Sequence, residues 1–269
     1  MKKIIALVLA ALMLFTCLAG CGAADDNKLV MATNAAFPPY EFKADDGSFA
    51  GIDVEIATLI AEELGMELEI VDIDFGAIVA GVQTGKYDIG MAGLTVTDER
   101  KESVNFTTSY ATGIQSVIVK ADSGYTSYED FYTGFDADGN PAGVKEGIKI
   151  GVQQDTTGDI YSSSEPSKWG FGEDNVERYK TGADAVEALK SGKVTAVIID
   201  NEPAKSFVNA NEGLVILEGS YTEEQYAIAV NKEDTELLEK INDALAKLTE
   251  NGEIAKIVEK YIPSNGDEK

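Results

Sequence analysis

The sequence predicts an α/β protein with a mainly parallel sheet, and three observations carry that prediction. From Leu29 onward, short apolar runs alternate with amphipathic stretches of helical period. Glycines stand where the helical stretches end, at Gly65, Gly85, Gly192 and Gly252. Finally, one unit occurs twice. Thr84-Gly85-Lys86 closes a helix and leads into a strand ending at Gly93, seven residues after the lysine; Ser191-Gly192-Lys193 does the same, and its strand ends at Asp200, again seven residues on. The matching offset indicates two similar α/β halves. Each delivers a residue at the carboxyl end of a strand, where open α/β sheets bind ligands.

The elements follow in order. Leu29–Thr33 is an apolar strand. Over Gly51–Leu64, the residues Ile52, Ile56, Leu59, Ile60 and Leu64 share one helical face. Leu68–Val71 is a strand, Phe75–Thr84 a helix and Asp88–Met91 a strand. Gln115–Val119 and Lys149–Val152 are further strands, and helix Ala183–Lys190 precedes strand Ala196–Ile199. Leu214–Leu217 and Tyr226–Val230 are short strands. Leu237, Leu238, Ile241, Leu245 and Leu248 stripe a long helix, which Gly252 separates from a last one over Ile254–Tyr261. The segment Asp122–Gly147 is irregular and reads as a loop or insertion. Its Asp136-Ala137-Asp138-Gly139-Asn140 run imitates half a calcium loop. The turn position that needs Gly is Pro141, however, and the position that needs a bidentate Glu is Gly147, so a solvated turn is the better account.

Composition removes several function classes. The 269 residues carry 47 Asp and Glu against 22 Lys and Arg, a net charge of −25. Such a surface repels nucleic acid and offers no basic patch for anionic lipid. With no histidine, Ser-His-Asp and Cys-His catalysis and His-ligated zinc are excluded. The only cysteines are Cys17 and Cys21, so the body beyond them has no disulfide and no thiol nucleophile. No cofactor and no metal site is expected.

Lys2 and Lys3 precede an apolar run, Ile4–Leu18, of about 15 residues, short of the roughly 20 that span a bilayer. Leu18-Ala19-Gly20-Cys21 follows and resembles the lipobox of bacterial lipoproteins. That resemblance implies a signal peptide over residues 1–20, lipidation of Cys21, a short tether over 21–26 and a protein held by lipid on the extracytoplasmic face of the cell membrane. A plain signal peptide with an incidental Cys is the competing account.

Four clusters carry chemistry. Asp200 ends the apolar run Ala196–Ile199; it is either a cap for the turn at Glu202-Pro203 or a receptor for an ammonium group. In Gly93–Arg100, Gly93 admits close backbone approach, Thr95 offers a hydroxyl, and Arg100 is either a surface partner of Glu99 or Glu102 or a bidentate clamp on a carboxylate. Gln153–Gly158 lies between a strand and a helix, where free N–H groups either hold an anion or are ordinarily capped. Phe37-Pro38-Pro39-Tyr40-Glu41-Phe42 is a stiffened loop holding aromatics, and Phe75 is a further aromatic; each is either pocket lining or core. Together these describe a site for a zwitterion.

At this point the chain resembles the polar amino-acid group of bacterial extracellular solute-binding proteins that serve ABC importers. The pieces that carry the resemblance are Ala32–Phe42, Gly51–Glu55, Ala92–Arg100, Gly151–Gly158 and Ile199–Ala204. It implies a two-lobed, periplasmic-binding-protein-like fold of type II, the Venus flytrap, with two hinge strands. Lobe one would comprise about 27–119 plus 226–263, and lobe two 120–225. Carried over by position, Arg100 would clamp the α-carboxylate. Gly93 and Thr95 would touch carboxylate and ammonium. Thr156 and Thr157 would reach the carboxylate from lobe two, and Asp200 would take the ammonium. Phe37, Tyr40 and Phe75 would line the side-chain pocket. Where relatives often carry an acid, this chain has Asn34, which weakens the case for arginine or lysine without excluding them and leaves glutamine, cystine or a basic amino acid as the expected ligand. The implied partners are a free L-amino acid and an ABC permease with its ATPase, the protein itself being a monomer and not an enzyme. A same-fold dehydratase of small acids and a sensor lipoprotein are the alternatives.

Overall fold

The computed structural model describes residues 27–219 and 221–263. The expected signal peptide, the tether and Cys21 lie outside the described residues.

Two sheets organise the chain. In the first, β1 (Lys28–Thr33) pairs in parallel with β5 (Glu67–Asp72) on one side and β6 (Ile89–Gly90) on the other. β14 (Ala229–Asn231) then runs antiparallel between β6 and β7 (Val104–Phe106). Alternation along β1 sends Leu29 and Met31 toward α1 (Ile52–Leu64), where Ile52, Ile56 and Ile60 are fully buried. It sends Val30 and Ala32 toward α2 (Ile78–Gln83), where Ile78 and Val82 wait. The expected helix from Phe75 begins as a 3-10 turn, Phe75–Ala77. Gly65 ends α1 in the left-handed conformation, as its place in the sequence predicts. A three-stranded flap, β2 (Ala36–Phe37), β3 (Glu41–Lys43) and β4 (Phe49–Ala50), leads from β1 into α1. Its strands are too short to show a hydrophobic period. The short α3 (Asp98–Ser103) is capped by Thr97, whose hydroxyl accepts from the Arg100 N–H.

The second sheet runs in the order β10 (Val176–Tyr179), β9 (Ile150–Gln153), β11 (Ala196–Asp200), β8 (Ala111–Lys120), β12 (Leu214–Ile216). β9 is parallel to β10 and β11, whereas β8 is antiparallel to β11, β12 and β13 (Thr222–Tyr226). Each sheet therefore has a parallel half at one edge and an antiparallel half at the other. β11 is buried on both faces: Val197 and Ile199 join one core, Ala196 and Ile198 the other. Helices α4 (Thr157–Ser163), α5 (Gly182–Lys190) and α6 (Asn201–Ala210) cover it. The chain ends in α7 (Thr235–Glu250) and α8 (Glu253–Tyr261), which return to pack on α1 of the first lobe.

Two expected boundaries differ. β8 was expected in the first lobe as far as Val119, but it is the long strand of the second sheet. The expected strand Tyr226–Val230 is two strands, with β13 in the second sheet and β14 in the first. The reason is the same in both cases. The chain crosses between lobes at Thr107–Tyr110 and at Ala227–Ile228; apolar residues continue straight through the second crossing, and the short polar stretch Thr107-Thr108-Ser109 at the first carries no Gly or Pro. The crossings lie side by side: the Thr107 N–H donates to the Ile228 carbonyl (3.0 Å) and the Tyr110 N–H to the Tyr226 carbonyl (3.0 Å).

The duplicated unit holds for its helix-closing turns but not for the matched strand ends: β6 stops at Gly90, short of the expected Gly93, whereas β11 does end at Asp200. Gly85 and Gly192 both have positive φ (70° and 76°), and Lys86 and Lys193 donate to Gly81 and Ala188 in equivalent closures. The irregular segment Asp122–Gly147 contains a capped 3-10 turn, Tyr128–Phe131, and a hairpin-like bridge between Tyr132 and Val144. Its Phe131 and Tyr132 pack with Phe171 on the outer core of the second sheet. Asp136 accepts from the N–H groups of Asp138 (2.9 Å) and Asn140 (2.8 Å), so the calcium-like run is a turn.

Candidate functional site

Between the lobes lies a narrow cavity lined by Asn34, Phe37, Glu41, Phe75, Ala92, Gly93, Thr95, Gln153, Thr156, Thr157 and Asp200. Both lobes contribute, and most of the sequence-predicted residues meet there. The lobes touch across it. The Gln153 amide donates to Asn34 Oδ1 (2.9 Å), the hydroxyls of Thr95 and Thr157 are 3.5 Å apart, and Arg100 donates to the Asp155 carbonyl (3.2 Å). The cleft is closed.

Asp200 sits at the carboxyl end of β11 and heads α6. Its side chain makes no cap bond to that helix. Instead it accepts from the Tyr226 hydroxyl on the second crossing. Capping is thus not its role, and a buried carboxylate faces the cavity. Burial, then the charge of Glu224, push its pKa up to about 7, against the pull of the Tyr226 and Gln115 hydrogen bonds.

Arg100 is held by α3, and it is neither exposed nor paired with Glu99 or Glu102. The guanidinium is buried, donates from Nη1 to the Thr95 carbonyl (2.8 Å), and stacks on the Phe75 ring with its carbon 5.3 Å from the centroid. Burial lowers its pKa, opposed first by the charge of Glu224. It is not among the residues that line the cavity; it lines an outer groove that also contains Phe75, Asp155 and Arg178, and it reaches the cavity wall through its bond to the Thr95 carbonyl. Among the described residues, neither Arg100 nor Asp200 is in an ion pair.

Other expectations divide. Gly93 has φ 52°, and a Cβ there would lie 2.9 Å from the Phe37 ring, so only glycine lets the backbone reach the cavity beside that ring. Thr157 presents its hydroxyl to Thr95, but the Thr156 hydroxyl donates to the Gln153 carbonyl (2.8 Å) and accepts from the Asp159 N–H (3.3 Å). For Thr156 ordinary capping accounts for the hydroxyl. Phe37 and Phe75 line the cavity, as expected. Tyr40 does not; it lies behind, in edge contact with Tyr226 (5.1 Å between centroids), beside a second cavity that shares Asp200. Asn34 lines the cavity with both polar atoms engaged, its amide donating to the Ile73 carbonyl (2.7 Å).

Four contributors escaped the sequence reading of the site. Tyr226 and Glu224 alternate inward along β13. Glu224 accepts from the Thr95 hydroxyl (3.0 Å) and the Gln115 amide (3.1 Å), tying the first lobe to the crossing. The period-two signal was present in Thr222-Glu223-Glu224-Gln225-Tyr226, but polar inward residues hide a strand from a search for apolar alternation. Glu41 and Gln153 were visible as parts of motifs without an assigned contact. In the structure, Glu41 is 1% exposed and lines the cavity, yet neither carboxyl oxygen has an N–H or O–H donor. The side-chain oxygen of Gln153 is equally bare.

Comparison with known proteins agrees with this geometry. The model of the bacterial extracellular solute-binding proteins, family 3, matches residues 29–264. The arginine-binding extracellular protein ArtP of Bacillus subtilis (strain 168) is 32% identical over 271 residues, covering 97% of this chain and 98% of that protein. The arginine-bound form of a truncated ArgBP from T. maritima superposes with a TM-score of 0.71 at 38% identity, over 82% of this chain and 96% of that one. An ancestral arginine-binding protein bound to glutamine gives a TM-score of 0.77 at 35% identity, over 90% of this chain and 100% of that one.

Proposed function

Because the chain belongs to the bacterial extracellular solute-binding proteins of family 3, we propose that it captures a free amino acid with a cationic side chain, arginine first, and presents it to an ABC-type importer. The observation that supports this is the imbalance of donors and acceptors in the cavity. Both Glu41 oxygens and the Gln153 side-chain oxygen are buried acceptors without donors. A buried acceptor left bare costs about 1–3 kcal/mol, so the cavity favours a ligand rich in N–H groups. A guanidinium carries five. Arg100, Thr95 and Thr157 receive the α-carboxylate, Asp200 the α-ammonium, and Glu41 with Gln153 the far end of the side chain. Phe37 and Phe75 flank the aliphatic stem.

Asn34 does not oppose this reading. Its atoms are spent on closing the cleft, and the negative charge stands at Glu41 instead. Contacts from both lobes make the closed state the better binder, which is how ligand drives closure. No chemical step is required, and the protein acts as a binder and not as an enzyme. Attachment to the extracytoplasmic membrane face through Cys21 belongs to the same proposal; Cys21→Ser should release the protein from the cell into the medium.

Thermal shift against single amino acids tests the ligand. Arginine should stabilise most, lysine and glutamine less, and glutamate not at all. At 100 times its dissociation constant, a ligand adds about 2.7 kcal/mol. Stabilisation by glutamine or cystine with none by arginine would refute the cationic reading.

A further inference from the structure

Glu41 stands at the start of β3, and its carboxyl faces that of Asp53 in the first turn of α1. Both are buried, at 1% and 0% exposure. Asp53 Oδ2 accepts from the Gly93 N–H (2.8 Å) and from the Tyr110 hydroxyl (2.9 Å). Its Oδ1 has no donor, and neither does either oxygen of Glu41. The other titratable groups that face the pair are Tyr40, Tyr110 and Asp200, none of them cationic. Among the described residues no lysine or arginine forms an ion pair with either carboxyl.

Two adjacent anions without a counter-ion are untenable in a buried site. A proton held between them removes one charge and supplies the missing donor. The electrostatics point the same way: burial and then the charge of Asp53 push Glu41 well above the ordinary carboxylate range, and burial pushes Asp53 up to about 6.

Resting on the reading that the ligand is cationic, we propose that the Glu41–Asp53 pair stores one proton in the empty site and gives it up when a guanidinium seats against Glu41. The carboxyl O–H bond breaks, its electron pair stays on the carboxylate, and the proton passes to solvent. No bond to the ligand forms. One positive charge enters as another leaves, so the buried charge of this end of the site is unchanged. Arginine capture is then a cation-for-proton exchange, and a neutral side chain leaves the proton in place. The exchange also makes Glu41 a discriminator: its affinity for the cation grows as the medium becomes more alkaline.

Titration calorimetry of the wild-type protein with L-arginine decides it, run at about pH 8 in buffers of different ionisation enthalpy. At that pH Asp200 is already largely ionised, so its own proton does not confuse the count. About one proton should be released per arginine, and the dissociation constant should fall close to tenfold per pH unit. Glu41→Gln should abolish the release and weaken arginine about 10- to 100-fold. Glutamine should release no proton from this pair in either protein. Tight arginine binding with no proton released by the wild-type protein would overturn the exchange while leaving the cationic ligand intact. Failure of arginine to bind at all, with another amino acid binding, would overturn the ligand reading and the exchange with it. The wild-type proton count stands even if the variant does not fold.

Discussion

The cleft contains two pairs of buried carboxyls, and they differ in the donors and charges that surround them. At Asp200 and Glu224, donors and charge come from both lobes: Tyr226 donates to Asp200, and Thr95 and Gln115 donate to one oxygen of Glu224, whose other oxygen has no donor, with the Arg100 charge nearby. At Glu41 and Asp53, the donors are the Gly93 N–H and the Tyr110 hydroxyl, both on Asp53, and no cation is near. The first pair is wired into both lobes and the crossing between them. The second is left open on its cavity side. The difference shows that the state of a buried acid is set by the donors around it, more than by its depth. On the proposed reading, one pair meets what all amino acids share and the other what distinguishes a few.

That contrast can be broken in four ways. The largest effect belongs to Asp200→Asn, which keeps the shape but removes the charge that meets the α-ammonium. Binding of every amino acid should weaken at least about 100-fold, near 3 kcal/mol, because the ammonium then enters without a counter-charge. Calorimetry with arginine and glutamine should show equal losses; unequal losses would mean that Asp200 also reads the side chain.

Next comes the pH dependence of stability. Asp200 and Asp53 have folded-state values raised to about 7 and about 6 by burial. Between the ordinary carboxylate range and these values, the folded protein binds more protons than the unfolded chain. Stability contributed by these groups is therefore greatest in acid and falls as pH rises toward about 7. Ligand-free protein should melt several degrees higher near pH 5 than near pH 7.5, and saturating arginine should flatten the difference. A melting temperature that rises over this range in the free protein would contradict the burial of uncompensated carboxyls.

Glu224→Gln should act through Asp200. Removing the neighbouring charge lets Asp200 ionise more easily, so the acid limb of the affinity profile should move down by about one pH unit. The Thr95 and Gln115 donors still find an amide oxygen, and affinity at neutral pH should change less than about tenfold. An unmoved acid limb would uncouple the two groups.

The smallest effect is expected of Lys180→Ala. Lys180 and Asp74 form an ion pair from lobe to lobe (3.6 Å), but both are about four-fifths exposed. Such pairs contribute from zero to about 1 kcal/mol. Affinity should stay within about threefold of wild type; a larger loss would give this exposed latch a part in closure that the buried bonds of Gln153 and Arg100 now account for.

Much of this was legible in the residues. Periodicity located α1, α7 and α8, and the paired Gly-Lys turns revealed the two halves because capping is a local event written in a few consecutive residues. Asp200 was recognisable because a carboxylate at the end of Ala196–Ile199 has to be compensated by something. Arg100 was left between two roles, and its burial against Phe75 removes the surface ion pair. The crossings at Thr107–Tyr110 and Ala227–Ile228 were misjudged, since neither carries a Gly or Pro to mark the point where the chain changes sheets. Glu41 stood in plain view, but its meaning depended on Asp53, which enters from a different element.

What the chain determined unaided was its class of fold, its duplicated turns and the residue types gathered for a zwitterion. These depend on short-range pattern and on the cost of burying charge, both of which act residue by residue. Tertiary structure alone decided which hydroxyls were already consumed by capping, which acids lost their donors and which tyrosine turned away from the cavity. Those outcomes depend on groups remote in sequence meeting within hydrogen-bond distance, and no local pattern encodes such a meeting.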